Sequence, residues 1–393
     1  MMAPHVSVDP FAAGVRDLDQ PDPAREAMRA AGPIVRAEAP AGGPVWIVTE
    51  EALARAVLTD PRVVKDPAYA PAGWDSRTAG LEPTAAQQLS LTTADGDGHG
   101  RLRRAHAPLF GARRMHQHHP ELVATARELL AVLAAQEQPV DLAADFTTRY
   151  PLTVICDLLG VPRDRVDQAA DACRRVLADY PAGFDVAIGQ FAQLAAAALD
   201  VGGEQAVGGE AAGGRPGLAA ELRDRLPDDA DGELHYHLFG LIFAGQLTTD
   251  AALGFLLARL LGGGPAAAAN PDEVVRETMR LHPSAPFTLW RFTTTEIELA
   301  GTTLPANAPV LVDIAGINTA PGRTGRSDLA FGAGHHYCLG AQLAQQELLA
   351  VTEVLRADFP AARLAVPYQE LRRTDPGRTM GGRVVTLPVH LTG

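Results

Sequence analysis

The feature that most constrains the fold is a long apolar stretch in the second half of the chain. Leu234–Leu261 contains LFGLIFAGQLTTDAALGFLL, and a helix drawn through it is hydrophobic nearly all round. Such a helix belongs in the interior of a large domain, so the sequence predicts a mostly helical fold built around it. Glycines and threonines interrupt this run, which indicates either close packing against a neighbour or a local opening beside a cofactor. The interrupting residues are Gly240, Gly245, Thr248 and Thr249.

The remaining periodic segments favour the same fold class, mainly α with a small β region. Apolar residues recur at three- and four-residue spacings in several further segments, one of which begins with a capping asparagine and a first-turn proline. The predicted helices are Glu50–Leu58, Pro120–Gln136, Arg149–Leu159, Pro162–Leu177 and Pro271–Leu281. The predicted strands are Pro33–Val35, Val45–Val48, Thr293–Ala300, Pro309–Ile314 and Arg383–Leu391. We expect a single domain over 1–393, with its sheet region at 30–50 and 290–315 and its helical body at 90–280 and 331–360.

Composition narrows the class of protein. Hydrophobic residues make up 47% of the 393 residues, enough to bury a large core. No uninterrupted apolar run of about 18 residues and no signal-peptide pattern occurs, so we expect a soluble, cytoplasmic protein without a membrane partner. The formal net charge of −13 argues against nucleic acid as a partner. The three cysteines have no regular spacing, which argues against a disulfide framework.

One of these cysteines, Cys338, stands at the predicted start of an amphipathic helix within FGAGHHYCLG. The N-terminus of a helix lowers the pKa of a thiol and stabilises the thiolate. A zinc site would need more ligands than His335, His336 and Cys338 supply locally. A nucleophilic cysteine would need a base and an oxyanion hole, and nothing marks either. A thiolate ligand to haem iron needs one sulfur, small residues beside a flat ring and cations for two propionates, and this interpretation fits best.

Four motifs in the chain resemble those of the cytochrome P-450 superfamily, in the family's order. FGAGHHYCLG resembles the haem-binding loop, and ETMR at Glu277–Arg280 resembles the glutamate–x–x–arginine pair. AGQLTT resembles the oxygen-binding part of the central helix, and HGRLRRAHAPLFGARR resembles the segment that carries propionate ligands. The resemblance runs from about Pro10 to the C-terminus. It implies the cytochrome P-450 fold, a triangular helical prism around a buried haem b (iron protoporphyrin IX).

The resemblance also implies roles for individual residues. Cys338 would be the axial ligand of the haem iron, shielded by Phe331. One propionate would be held by His99 and Arg103, and the other by Arg291 and His336. Close approach of the ring would depend on Gly332 and Gly340, whose lack of a side chain lets the backbone turn tightly. The structural pair would be Glu277 and Arg280, joining its helix to the loop before Cys338.

On the central helix, the resemblance assigns the residues that act on dioxygen. The catalytic set would be Ala244, Gly245, Thr248 and Thr249, with Thr248 delivering protons. The family usually has an acid before this threonine, whereas this chain has Leu247. We therefore expect water held by Thr248, or Thr249 or Asp250, to substitute. A second departure is the short segment AGINTAPGRTGRSDLAFG, which omits most of the usual meander before the haem loop and leaves fewer partners for Glu277 and Arg280.

Electrons must come from another protein, since no flavin or nicotinamide fingerprint is present. Gly98–Pro120 carries no acidic residue, and its five arginines form a basic island on an acidic chain. This favours a docking site for an acidic ferredoxin, served by a ferredoxin reductase, over a merely solvated helix face. The arginines are Arg101, Arg103, Arg104, Arg113 and Arg114.

Substrate selection should depend on aromatic residues near the haem, although core packing is the default role for such side chains. The predicted substrate pocket comprises Trp74, Phe243, Phe287 and Trp290. KDPAYAPAGWD, Leu247 and the short meander resemble members that cross-link aromatic side chains (Tyr, Trp or His) in short ribosomally made peptides. Peptide cross-linking is therefore the leading prediction, ahead of hydroxylation of a polyketide, terpenoid or other small metabolite. An alternative of another class is a non-catalytic haem-binding or recruitment protein.

Overall fold

The computed structural model describes residues 3–76, 78–79, 88–167, 169–170, 182–205, 217–323, 328–375, 377 and 379–392. Helices dominate these ranges. Numbered along the chain, they are α1 (Pro23–Ala31), α2 (Glu51–Thr59), α3 (Gly96–His106), α4 (Ala112–Gln117), α5 (His119–Ala134), α6 (Leu142–Asp145), α7 (Arg149–Leu159), α8 (Ala182–Gln205), α9 (Leu218–Arg225), α10 (Asp231–Leu261), α11 (Pro265–Ala268), α12 (Pro271–Leu281), α13 (Ile314–Asn318) and α14 (Ala341–Asp358).

The strands are short and form small sheets. They are β1 (Gly14–Asp17), β2 (Ile34–Glu38), β3 (Pro44–Val48), β4 (Val63–Val64), β5 (Val140–Asp141), β6 (Arg291–Thr293), β7 (Ile297–Leu299), β8 (Thr302–Leu304), β9 (Pro309–Val312), β10 (Arg363–Leu364), β11 (Arg372–Asp375), β12 (Arg383–Val384) and β13 (Pro388–His390). The largest sheet has the order β2-β3-β9-β6-β4, in which β3 and β9 run parallel and the other pairs run antiparallel. The smaller sheets are β1-β11-β12, β10-β13-β5 and β7-β8.

The chain divides into two compact units, each built from separate stretches of sequence. Unit 1 comprises Met1–Arg101, Arg276–Leu339 and Arg372–Val384. It contains the five-stranded sheet, one face of which buries Ile47, Phe292 and Leu311. The alternation of side chains along β6 therefore directs Arg291 to the face opposite Phe292. The expectation of one domain over 1–393 remains a prediction.

Unit 2 comprises Leu102–Val275, Gly340–Leu371 and Val385–Gly393. Its central element is α10, which runs without interruption for 31 residues and packs against α7, α8 and α14. This is the helix that the apolar run predicts. In the part of the chain that the structure describes, it is long and apolar enough to cross a membrane, but 67% of its most apolar window is buried, as in a core helix.

The predicted elements are largely observed. The bounds of α7 and α12 agree with the prediction, since Gly160 ends α7 in a left-handed conformation (φ 90°) and the Asn270 side chain accepts from the backbone N–H of Asp272. The predicted strand Pro309–Ile314 is shorter than expected, because Asp313 caps α13 at Ile314. Half of the predicted helix Pro162–Leu177, residues 168 and 171–177, lies outside the described residues.

Candidate functional site

In unit 1, the Cys338 thiol is exposed and lies three residues before α14. The loop that carries it closes on itself, because the Cys338 N–H donates to the Phe331 carbonyl at 2.9 Å. Gly332 and Gly334 have φ angles of 70° and 72°, a conformation that favours glycine. A Cβ atom at Gly334 would also lie 2.5 Å from the Leu58 carbonyl oxygen, so no larger residue fits there. The glycines therefore shape the loop that presents the thiol.

Buried polar side chains gather around this loop within unit 1. Arg291 is 4% exposed, and His99 is 5% exposed. The rings of His99 and His336 lie 4.0 Å apart between centroids, and His336 Nε2 lies 3.2 Å from Asp95 Oδ1. Burial lowers the pKa of His336, and burial lowers the pKa of Arg291 to about 10. The structure thus brings together three of the four predicted propionate ligands; Arg103, on α3, is partly buried and belongs to unit 2.

Two members of this cluster escaped the sequence reasoning, Lys65 and Asp95. Asp95 directly precedes α3, and its Oδ2 accepts from the backbone N–H groups of Lys65 (2.6 Å) and Asp66 (3.0 Å). Burial raises the pKa of Asp95, but the hydrogen bonds from His336 and from Lys65 outweigh it, so the net shift is downward. The sequence does hold one signal for Lys65, because it is the single lysine of the chain.

The donor set fits a flat cofactor with two carboxylates. In the described ranges, Arg291 Nε and His336 Nδ1 are buried without a hydrogen-bond partner. Buried polar atoms are normally satisfied, so these two nitrogens, close to an exposed thiol, are open to a bound group. Asp95 is the carboxylate of the cluster, and it already accepts three hydrogen bonds. Buried side-chain nitrogens without partners, one of them on a guanidinium group, beside an exposed thiol match the propionates and the iron of haem.

The pair Glu277 and Arg280 on α12 behaves as a structural pair. Arg280 donates to Glu277 from Nε at 2.8 Å, and it also donates to the Asn318 carbonyl. The Asn318 side chain in turn accepts from the Leu329 backbone N–H at 3.0 Å. Asn318 therefore supplies a partner that the shortened segment left in doubt, and Leu329 is two residues before Phe331. Residues 324–327 of this segment lie outside the described residues.

On α10, in unit 2, the predicted catalytic residues do not share one side. Ala244 is exposed and Thr248 is partly exposed, with its hydroxyl donating to the Ala244 carbonyl at 2.7 Å. A Cβ atom at Gly245 would lie 3.5 Å from Ile155 Cγ1, so Gly245 faces α7. Thr249 is 3% exposed, and its hydroxyl lies 3.4 Å from Glu347 Oε2 on α14. Thr249 thus faces the interior, because adjacent helical residues point about 100° apart, and its catalytic role stays a prediction.

A buried carboxyl cluster lies beside this segment. Asp250, 1% exposed, accepts at Oδ2 from Gln246 Nε2 at 3.2 Å and from the Thr148 hydroxyl at 3.0 Å. Glu347 is 2% exposed, and burial raises its pKa well above the ordinary value, which favours the neutral acid. Unit 2 therefore holds two buried acids close to this segment, although neither stands at position 247. Asp250 is two residues after Thr248, and Glu347 contacts the neighbouring Thr249.

Most of the predicted substrate-pocket residues lie in the core of unit 1, and their contact with a substrate stays a prediction. Phe287 is 1% exposed and Trp290 is 3% exposed, and both belong to the core of unit 1. Trp290 donates its indole N–H to the Ala79 carbonyl, and Trp74 packs edge-on against it at 5.9 Å. These three side chains perform the core packing that is their default role. Phe243 alone of the predicted set lies on α10, where it is partly exposed.

The basic segment is only partly available for docking. Arg104 and Arg113 are exposed. Arg114 instead forms a bidentate ion pair with Glu221, with N–O distances of 2.5 and 2.8 Å. This pair raises the pKa of Arg114 and lowers that of Glu221. An exposed, positively charged remainder is consistent with an acidic partner.

Comparisons with known proteins agree with this geometry. A family model described as cytochrome P450 matches residues 272–323. The chain is 40% identical to the cytochrome P-450 monooxygenase DoxA of Streptomyces sp. (strain C5), over 99% of both chains. It is 30% identical to 2-hydroxy-5-methyl-1-naphthoate 7-hydroxylase of Streptomyces carzinostaticus, over 93% of this chain and 94% of the relative. The solved structure of CYP154A1 from Streptomyces coelicolor A3(2) is similar at a TM-score of 0.79 and 29% identity, over 99% of this chain and 100% of that one.

Proposed function

This chain belongs to the cytochrome P450 family, whose members bind haem through a cysteine thiolate, and we propose that it is a monooxygenase that hydroxylates a small secondary metabolite. The two relatives are named as a monooxygenase and as a hydroxylase of a naphthoate. These names favour the alternative of the sequence analysis. They lend no support to peptide cross-linking, which the sequence analysis put first.

The observation that carries this proposal is the exposed Cys338 thiol beside the buried Arg291 and His336 side chains, each of which has a ring or guanidinium nitrogen without a partner within the described residues. When bound, haem supplies the iron that activates dioxygen. The chain's own contribution is to hold it. The residues proposed for this task are Cys338, Phe331, Gly332, Gly340, His99, Arg103, Arg291 and His336.

On α10, we assign proton handling to Thr248 and substrate contact to Phe243. The Thr248 hydroxyl donates to the Ala244 carbonyl on its own helix, so its hydrogen is held in place until another acceptor competes for it. Ala244 is small and exposed, which leaves room beside Thr248 for a ligand. Phe243 offers a partly exposed aromatic face on the same helix, suited to an apolar or aromatic substrate.

For electron supply, we propose a ferredoxin with its ferredoxin reductase. The exposed Arg104 and Arg113 on a chain of net charge −13 support docking of an acidic partner. Thr248 and these exposed arginines favour an enzyme over a non-catalytic haem-binding protein, because a recruiting module needs neither. Reductant consumption that depends on an added ligand separates these two classes.

The experiment that tests the function combines binding and product mass. The purified ferric protein is titrated with small aromatic metabolites and with short tyrosine- or tryptophan-containing peptides, while the Soret band is recorded. Compounds that shift the band toward high spin are then incubated with dioxygen, ferredoxin, reductase and reductant. Gain of one oxygen atom by a small metabolite is the expected result. Loss of two hydrogen atoms from a peptide would instead support cross-linking.

A further inference from the structure

Lys65 is the one lysine in this protein. The chain has 34 lysine and arginine residues, and Lys65 is the one lysine among 33 arginines. It follows β4 directly and is 9% exposed. The one side-chain amine of the protein therefore lies in the interior of unit 1. A lone buried lysine costs free energy unless its charge is matched. A negative charge near Lys65 would therefore stabilise its protonated form.

Backbone contacts hold Lys65 next to Arg291. The register of the β4–β6 pair joins Val63 to Thr293 and Val64 to Phe292, so its continuation by one residue sets Lys65 opposite Arg291. Opposite residues of an antiparallel pair project to the same face of the sheet. The Lys65 N–H donates to Asp95 Oδ2 at 2.6 Å, which secures the backbone at this point.

Two cations that face each other in the interior destabilise the fold. Like charges directly opposite one another are unfavourable in a sheet, and burial removes the screening by water. Within the described ranges, no carboxylate forms a direct ion pair with Lys65 or Arg291. The charge of Asp95, whose oxygens accept from backbone N–H groups and His336, raises the pKa of both but does not outweigh their burial. Burial, followed by the charge of Arg291, lowers the pKa of Lys65 to about 7.

The same arrangement explains why this one position holds lysine. An arginine keeps its charge under all ordinary conditions, whereas a buried lysine can lose its proton when no anion is near and regain it when one arrives. Next to Arg291, lysine is therefore tolerated with and without an anionic ligand. An arginine at position 65 would remain charged in both cases.

We propose that Lys65 is a third cationic contact, beside Arg291 and His336, for the two carboxylates of the haem. This inference rests on the proposed function, because it takes haem as the ligand of unit 1. Lys65 lies outside the motifs that imply propionate ligands. It would therefore add one more contact to those that the motifs imply.

A first experiment uses the fact that Lys65 is the only lysine. The holoprotein and the haem-free protein are treated with a small amine-acetylating reagent, and acetylation of Lys65 is followed by peptide mass spectrometry. The chain's α-amino group serves as the internal standard. Contact with a haem carboxylate keeps the amine protonated and covered, so we expect Lys65 to react about 10-fold more slowly in the holoprotein. Equal rates in the two forms would overturn the inference.

A second experiment compares variants. Lys65→Met keeps the length of the side chain but removes the charge, and it should release haem to a haem-scavenging protein about 10-fold faster, as expected for one lost charge-assisted hydrogen bond. Lys65→Arg should retain haem, but its haem-free form should unfold at lower denaturant than the haem-free wild type. Arg62→Met changes an exposed cation that pairs with Asp60 and lies three residues before Lys65. It should leave the rate of haem release and the denaturant stability of the haem-free protein unchanged.

The outcomes separate this inference from the proposed function. A wild-type protein that binds no haem contradicts the proposed function itself. A wild-type protein that binds haem, together with a Lys65→Met variant that releases it no faster, contradicts only the role of Lys65.

Discussion

Buried polar groups in the two units are arranged in opposite ways. In unit 1, Lys65 and Arg291 carry charge of one sign, and the nearby carboxylate of Asp95 is already engaged. In unit 2, Asp250 Oδ2 accepts from a hydroxyl and an amide, and burial raises the pKa of Glu347, which favours its neutral form. Hydrogen bonds between buried side chains stabilise the fold, whereas neighbouring buried charges of one sign favour a ligand of the opposite sign. The contrast therefore supports the proposal that residues of unit 1, among them Arg291 and His336, hold carboxylates of the cofactor.

This comparison leads to two different expectations. Changes that remove the thiol or a cation from the unit 1 cluster should alter haem binding with little loss of fold stability. Changes in the buried network of unit 2 should alter how stability depends on pH, while haem remains bound.

The largest effect is expected at Cys338. Replacing Cys338 by alanine removes the only atom proposed to bind the iron, so the thiolate-haem Soret spectrum should be lost completely. Because Cys338 is exposed, the helical circular dichroism should be unchanged. Cys156→Ala, which removes a buried thiol of unit 2, should keep the spectrum and serves as the control. A thiolate spectrum in the Cys338→Ala protein would exclude this cysteine as the ligand.

The next largest effect is a loss of stability at acidic pH, caused by the buried His106 in unit 2. His106 is 1% exposed, its Nδ1 donates to the Leu102 carbonyl at 2.8 Å, and its ring lies 5.4 Å from that of His237, which pairs with Asp229. Burial, despite the hydrogen bond to Leu102, lowers the pKa of His106 to about 4. Between pH 6.5 and 4 the unfolded chain therefore binds a proton that the folded chain refuses.

Stability should thus be complete above pH 6.5 and should fall as the pH drops toward 4. A shift of this size corresponds to about 3 kcal/mol in the free energy of unfolding. Urea unfolding at a series of pH values measures it. His106→Gln should show a shallower slope over the same range. If the variant and the wild type have parallel pH profiles, His106 is not the group responsible.

A smaller effect of opposite sign is expected at Glu347. Because burial raises its pKa in the folded state, the wild type loses stability as pH rises above the ordinary value of a glutamate, about 4.3. Glu347→Gln imitates the neutral acid, so it should match the wild type near pH 4 and exceed it by about 1 kcal/mol at pH 7. Glu353→Gln, on the same helix with 55% of its side chain exposed, is the matched control. A Glu347→Gln variant that is less stable than the wild type at pH 7 would show that the carboxylate is ionised.

The smallest effect should come from the exposed basic residues. Arg113→Ser should raise the KM for an acidic ferredoxin about threefold at low salt, because exposed charges contribute less than about 1 kcal/mol. High ionic strength should remove the difference, since screening acts within about 10 Å at 0.1 M salt. Arg62→Met, outside the basic segment, should not change the KM. A difference that persists at high salt would speak against electrostatic docking.

Several parts of the molecule followed from local sequence alone. The apolar run predicted α10 because a helix without a polar side must be buried. The bounds of α7 and α12 followed from Gly160 and from the Asn270 cap, which act on neighbouring residues only. Cys338 could be singled out because the glycines, the histidines and the thiol lie within ten residues of one another. These features are determined by contacts between residues that are close in sequence.

Tertiary structure decided the rest. Lys65 meets Arg291 only because β4 pairs with β6, more than 200 residues further along the chain. Thr248 and Thr249 are adjacent and chemically alike, yet only the second is turned toward Glu347. Phe287 and Trp290 became core residues because the sheet and Trp74 pack over them. In each case the decisive neighbour comes from a distant segment, and its position depends on the register and packing of the folded chain, which local sequence patterns do not determine.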